Sequence, residues 1–175
     1  MGVSVAHQVC TLPEKALLMG YAGGGAHTDC FVIEAAANIS LARYVEAFYT
    51  SWLFRLERLV LTLAARPSSD QQAAALAAGR ATSFAAWTVE LRAADQLLMC
   101  DVTARTRSWF MVAPTAGGTR LYFGSAVTTN RHRASRPAAI GPVFRSLIGV
   151  HGLYARALLA AARGRLQRPA GLVNP

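Results

Sequence analysis

ATSFAAWTVELRAADQLLMCDVTARTRSWFMVAPTAGGTRLYFGSAVTT, residues 81–129, is the stretch whose pattern decides the fold. Its apolar and aromatic residues recur in short runs separated by turn chemistry, which is the signature of strands. Four strands are expected, over 82–92, 95–102, 105–113 and 119–128. Ala93-Ala94-Asp95 supplies the first turn. Pro114-Thr115-Ala116-Gly117-Gly118 supplies a clearer hairpin turn, with Pro and Gly where φ is constrained. Consecutive strands joined this tightly must be antiparallel.

Helical patterns flank the block. On its C-terminal side Gly141-Pro142 opens a last helix to about Ala162, with Pro142 suited to a first turn. The stretch between, Asn130–Pro137 (NRHRASRP), reads as a basic loop, and the tail from Arg163 as frayed. On its N-terminal side Pro67-Ser68-Ser69-Asp70 caps a short helix, Gln71–Ala78, stopped by Gly79. Before that, Leu41, Val45, Phe48, Trp52, Leu56, Leu59 and Leu63 fall on one helical stripe, predicting a single long helix over Leu41–Ala65. Ser40 is its expected N-cap. Arg55 is placed near Phe48 at the edge of that stripe. Asp29–Ala35 (DCFVIEA) reads as a strand. Pro13 is expected to start a short helix over Glu14–Leu18 that Gly20 stops. Tyr21–Ala26 reads as a loop whose three glycines lack the Gly-Lys-Ser/Thr ending of a phosphate-binding loop.

The chain has 175 residues, enough for one domain with a generous core. The expectation is a single domain over 1–175, with 1–25 and 164–175 as peripheral segments. Apolar residues make up 53% and charged residues 15%, so a disordered chain is excluded. The formal charge is +9, and Lys15 is the one lysine among eighteen cationic residues. Abundant Ala, Arg and Gly reflect a GC-rich bacterial composition, but the positive balance still favours anionic partners. Cys10, Cys30 and Cys100 form no CxxC, so neither a zinc site nor a disulfide framework is signalled. Reduced thiols and a cytoplasmic protein are expected, with no signal peptide, no transmembrane span, no metal and no cofactor.

His151, expected on the apolar face of the last helix among Phe144, Ala155, Leu158 and Ala162, is the first candidate for acid–base work. Arg145 and Arg156 fall on the opposite, solvated face. Asp101 is expected to pair with Arg105 or Arg107 across a turn, and Glu90 to join the same face. An acid beside several arginines has a depressed pKa, which suits orientation better than proton abstraction. Trp52, Trp87 and Trp109 are candidate pocket walls as well as ordinary core. In Phe123-Gly124-Ser125-Ala126-Val127 a mid-strand glycine marks a bulge or a close approach by backbone or ligand. The GxSxG spacing of a nucleophile elbow is absent. Arg131-His132-Arg133-Ala134-Ser135-Arg136 is basic but carries none of the patterns that accompany nucleic-acid modules.

Strand, long helix, antiparallel strands and a C-terminal helix, in that order, resemble the helix-grip fold of the START and polyketide-cyclase superfamily. The chain also resembles uncharacterised bacterial proteins of the domain-of-unknown-function type, through DCFVIEA, ARYVEAFYTSWLFRLERLVL, FAAWTVELRAADQLLMCD, RTRSWF, GTRLYFGSAV and GVHGLYARALL. These stretches span about residues 29–160. The resemblance implies an α+β fold in which a curved antiparallel sheet packs on the long C-terminal helix, with a second long helix inserted after the first strand. It implies an apolar cavity between sheet and helix, and no catalytic residues. The helix-grip pattern has a strand pair ahead of the inserted helix, so a second strand would have to lie within the first 25 residues. A cone-shaped α+β relative, with a curved sheet on one long helix, is the alternative.

Three functions are therefore expected, in this order. The first is binding of a small apolar or amphipathic molecule by Trp52, Arg55, Trp87, Arg107, Trp109, Phe123, Ser125 and His151, a carboxylate meeting Arg55 or Arg107. The second is a cyclase, dehydratase or isomerase using His151 with Asp101 or Glu90. The third is an Arg-rich surface for nucleic acid or an anionic membrane. A homodimer through surplus apolar surface is an open alternative.

Overall fold

The computed structural model describes residues 8–63, 67–128 and 142–167, the side chains of 60–63 and 142–153 excepted. In chain order the elements are β1 (Gln8–Val9), α1 (Met19–Ala22), β2 (His27–Ala35), α2 (Leu41–Tyr49), α3 (Trp52–Leu63) and α4 (Asp70–Ala77). Then follow β3 (Ser83–Phe84), β4 (Trp87–Arg92), β5 (Gln96–Asp101), β6 (Thr106–Thr115), β7 (Gly118–Val127) and α5 (Pro142–Leu166). The class is α+β. The described strands form one seven-stranded antiparallel sheet in the order β1-β2-β7-β6-β5-β4-β3.

β3 to β7 run as a meander, and β7 then pairs along its length with β2, from His27 opposite Val127 to Ala35 opposite Thr119. Three of the four expected strands are present as β5, β6 and β7, but the strand expected over 82–92 is a hairpin: β3 turns at Ala85-Ala86 into β4, with Ala85 at φ +52°. The β6–β7 turn is two residues, Ala116-Gly117, inside the anticipated hairpin stretch. Gly118 is required there. Its φ is +148°, and a Cβ would stand 2.0 Å from the Ala35 carbonyl oxygen. β1 supplies a strand ahead of the helices, though it is only two residues long.

Strand alternation gives the sheet two faces. One carries Phe31, Ile33, Leu97, Met99, Phe110, Leu121 and Phe123, packed under α2, α4 and α5. Phe48 of α2 is the hub, with ring centroids 4.8 Å from Phe110 and 4.9 Å from Phe123. Tyr44 is fully buried, and its hydroxyl donates to the Tyr122 carbonyl at 3.1 Å. The other face carries Cys30, Leu98, Trp109, Met111 and Ala126, closed by Ala16 and Leu18.

The single helix expected over Leu41–Ala65 is two helices, and Ala64-Ala65 lie outside the described residues. The Thr50 hydroxyl donates to the Glu46 carbonyl at 2.7 Å, and Ser51 Oγ accepts from the Phe54 N–H at 3.3 Å. Local side-chain bonds thus end α2 and cap α3. The break rotates the stripe. α3 buries Phe54 and turns Trp52 (67% exposed), Leu56 (54%) and Leu59 (63%) to solvent. Ser40 caps α2 as expected, accepting from the Arg43 N–H. Ser69 caps α4 in a full capping box with Gln72.

The helix expected over Glu14–Leu18 is displaced to α1, so Gly20 lies inside it and does not stop it. Residues 10–21 are not peripheral, because they form the cover of the second face. Gln96, itself buried, holds them down: its Oε1 accepts from the Leu17 N–H and the Trp109 indole N–H, both at 2.9 Å, and its Nε2 donates to the Lys15 carbonyl. Gly124 permits this close packing, since a Cβ would meet the Asp29 carbonyl oxygen at 2.8 Å and Leu18 and Trp109 at 3.0 Å. No helix among the described residues is long and apolar enough to cross a membrane.

Candidate functional site

The helix-covered face holds a small cavity of about 70 Å³ between the sheet, α3 and α5. Phe48, Tyr49, Phe54, Trp87, Phe123 and Leu158 give it apolar walls, and Glu57, Ser108 and Tyr154 add oxygen atoms. α5 places Tyr154 so that its hydroxyl donates to Glu57 Oε2 at 2.5 Å. Burial, then the neighbouring Glu57 carboxylate, push the Tyr154 phenol far above its ordinary pKa. It therefore stays a neutral donor at physiological pH. Trp87 and Phe54 lie 5.8 Å apart by ring centroids, forming one wall.

Of the expected ligand-binding residues, the structure brings Trp87 and Phe123 to this cavity. Ser125 is on the same face but is occupied: its hydroxyl and backbone N–H both donate to Asp29 Oδ1 at 2.8 Å. Trp109 is fully buried on the opposite face, because its strand position has the other parity. Trp52 points to solvent. Arg55 leaves the core edge and pairs with Asp70, whose other oxygen Arg58 holds. His151 falls on α5, and its side chain lies outside the described residues.

Arg107 and Glu90 are together, but on the second face. Glu90 has the parity of Thr88, which pairs with Cys100 of that face, and the bulge between Val89 and Leu91 instead turns Arg92 to the helix-covered face. Arg107 Nε donates to Glu90 Oε2 at 2.9 Å, the Tyr21 hydroxyl donates to Oε1, and the guanidinium lies over the Tyr21 ring at 4.8 Å. Burial and the Glu90 bond raise the Tyr21 pKa. The sheet therefore stands between Glu90 and α5.

Among the described residues Asp101 pairs with no arginine side chain. It organises the β5–β6 turn, accepting from the N–H groups of Thr103, Arg105 and Thr106 and from the Thr103 hydroxyl. Burial works against the carboxylate, but these bonds outweigh it and hold its pKa below the usual value. Arg92 caps α4, donating to the Leu76 and Ala77 carbonyls. Arg156 is half-buried with its guanidinium over the Phe31 ring at 5.2 Å, which corrects its placement on a solvated face. The basic stretch Arg131–Arg136 lies outside the described residues.

A second concavity, about 540 Å³ and open, lies at the sheet edge between Gln8, Cys10, Thr11, Pro13, Arg120 and Tyr122. It is larger, but its walls mix backbone edge with charged side chains such as Arg120, which pairs with Glu34. The smaller cavity has the largely aromatic walls and few polar groups that small-molecule sites use. Among the described residues no cluster of His, Cys, Asp and Glu could hold a metal ion. Compared with known proteins, the chain matches no family model, and no curated protein matches it.

Proposed function

We propose that this chain binds a small amphipathic molecule in the cavity between sheet, α3 and α5, in the manner of a helix-grip protein. The observation that carries the reading is the aromatic enclosure of Phe48, Phe54, Trp87 and Phe123 beside one polar pair, Glu57 and Tyr154. A volume of about 70 Å³ equals roughly two waters of liquid. The ligand therefore inserts a narrow apolar end, and anything larger needs α3 to shift about its break at Thr50-Ser51. The lining also changes the expected ligand chemistry. Arg55 and Arg107 are elsewhere, so a carboxylate gains no guanidinium from them; Ser108 suits a hydroxyl or carbonyl end, and the Tyr154 oxygen, its proton given to Glu57, can accept from a hydroxyl.

Native mass spectrometry of freshly purified protein tests this reading. A reproducible extra mass, lost on denaturation and absent from Ser108→Leu, supports it. An extra mass that Ser108→Leu retains puts the ligand elsewhere.

A second reading concerns partners. Trp52, Leu56 and Leu59, at helical spacing, leave an apolar strip on the outer face of α3. Pairing of two copies through this strip accounts for it, as isologous helix contacts do. Light scattering after gel filtration checks this: a dimer that Leu56→Glu dissociates supports it, and a monomer at high concentration refutes it.

A further inference from the structure

Cys10 and Cys30 are free thiols that stand in direct contact. The β1–β2 register runs Gln8 opposite Val32 and Val9 opposite Phe31, so the next pair along is Cys10 opposite Cys30. The ladder continues to them, with the Cys10 N–H donating to the Cys30 carbonyl at 3.0 Å. Directly opposite side chains on antiparallel strands share a face, and here the two Sγ atoms approach to 2.8 Å. Bond formation requires closing the sulfurs by less than about 1 Å.

We infer that Cys10 and Cys30 form a reversible disulfide that clasps residues 10–21 onto the second face of the sheet. The two sulfurs differ in access. Cys30 is buried at 2% exposure, whereas Cys10 is half-buried and lines the open groove beside Thr11 and Pro13. A small disulfide such as oxidised glutathione reaches Cys10 first. The Cys10 thiolate attacks it, forming a mixed disulfide and releasing one small thiol. The Cys30 thiolate then attacks Cys10 Sγ and expels the second small thiol. Two protein thiols are oxidised, one small disulfide is reduced, and their protons pass to the departing thiolates. Burial raises both thiol pKa values, so exchange is slow near neutral pH and accelerates as pH rises.

The clasp acts on the cover. Residues beyond Cys10 supply the Lys15 carbonyl and Leu17 N–H to Gln96, Leu18 to the core against Trp109, and Tyr21 to Glu90. Oxidation ties the start of this segment covalently to β2, which runs beside β7, and reduction leaves it held by noncovalent contacts, the Gln96 and Glu90 bonds among them.

The test uses the full chain equilibrated in mixtures of oxidised and reduced glutathione, blocked with N-ethylmaleimide and digested with trypsin without reduction. Cleavage after Lys15, Arg43, Arg92 and Arg105 places the three cysteines in peptides 1–15, 16–43 and 93–105. The expected product is 1–15 joined to 16–43, two hydrogens lighter than their sum, with Cys100 outside the link. It forms equally in Cys100→Ser and reverses with dithiothreitol. The oxidised protein melts about 6 °C or more above the reduced one. Glutathione adducts without the link, a link through Cys100, or full alkylation under oxidising conditions would overturn the inference. So would a link that leaves the melting temperature unchanged.

Discussion

Gln96→Leu removes the buried side chain that bonds Lys15 and Leu17 of the cover to the sheet. Leucine keeps the volume, so little cavity opens, and the effect isolates hydrogen bonding. Three groups lose a partner. The Trp109 indole N–H is in a fully buried residue and bears the full penalty for an unmade bond, about 1–3 kcal/mol. The Leu17 N–H is half-buried and loses roughly 1–2 kcal/mol, while the Lys15 carbonyl belongs to an exposed residue and turns to water. The total is about 2–5 kcal/mol, or a melting temperature lower by roughly 4–20 °C for a chain of this size. Urea unfolding measures it, with amide exchange at Leu17 as a local readout. Because the penalty at Trp109 comes from an orphaned donor, Trp109→Phe should be less destabilising in the Gln96→Leu background than alone, by about 1–2 kcal/mol. Strict additivity, or a Gln96→Leu variant within about 0.5 kcal/mol of the parent, would refute the reasoning.

Gly118→Ala should destabilise by more than about 2 kcal/mol, because its Cβ meets the Ala35 backbone at 2.0 Å on a positive-φ residue; an unchanged urea midpoint would contradict this. Asp70 and Asp101 are both held below their ordinary pKa of 3.8, so they contribute stability above that pH and lose it as pH falls through their folded values. Melting temperature should therefore decline below pH about 4, less steeply in Asp101→Asn, and an identical slope would count against the turn network. Glu90→Gln should leave the fold intact and increase the solvent exposure of Tyr21, seen as faster iodination of that residue, whereas a global loss of stability would place Glu90 at a deeper role than its surface pairing with Arg107.

Much of the architecture was legible because alternation and turn chemistry are local. The strands β4 to β7, Ser40 as a cap and the cap within Pro67–Asp70 all follow from residues a few positions apart, whereas the tight β3–β4 turn at Ala85-Ala86 carries no Gly, Pro, Asn or Asp to announce it. Trp52, Leu56 and Leu59 were misplaced because a helical stripe is extrapolated with a constant period, and the Thr50 and Ser51 hydroxyls reset it. The role of residues 10–21 was not visible, since Gln96 reaches Lys15 and Leu17 across some eighty positions. The Cys10–Cys30 pairing depends likewise on a two-residue strand whose register no local pattern announces. Gly124 was the exception: a mid-strand glycine signalled a close approach, and Asp29, Leu18 and Trp109 supply it. Glu57 with Tyr154 escaped notice because they sit on helices 97 residues apart.

Ligand titration followed by nuclear magnetic resonance tests the binding account most directly. Small amphipathic alcohols and ketones added to labelled protein should shift the Trp87 indole and the Leu158 and Ala155 methyl signals, with Ser108→Leu abolishing the response. Shifts confined to Thr11, Arg120 and Tyr122 at the open groove, or retained in Ser108→Leu, would contradict it.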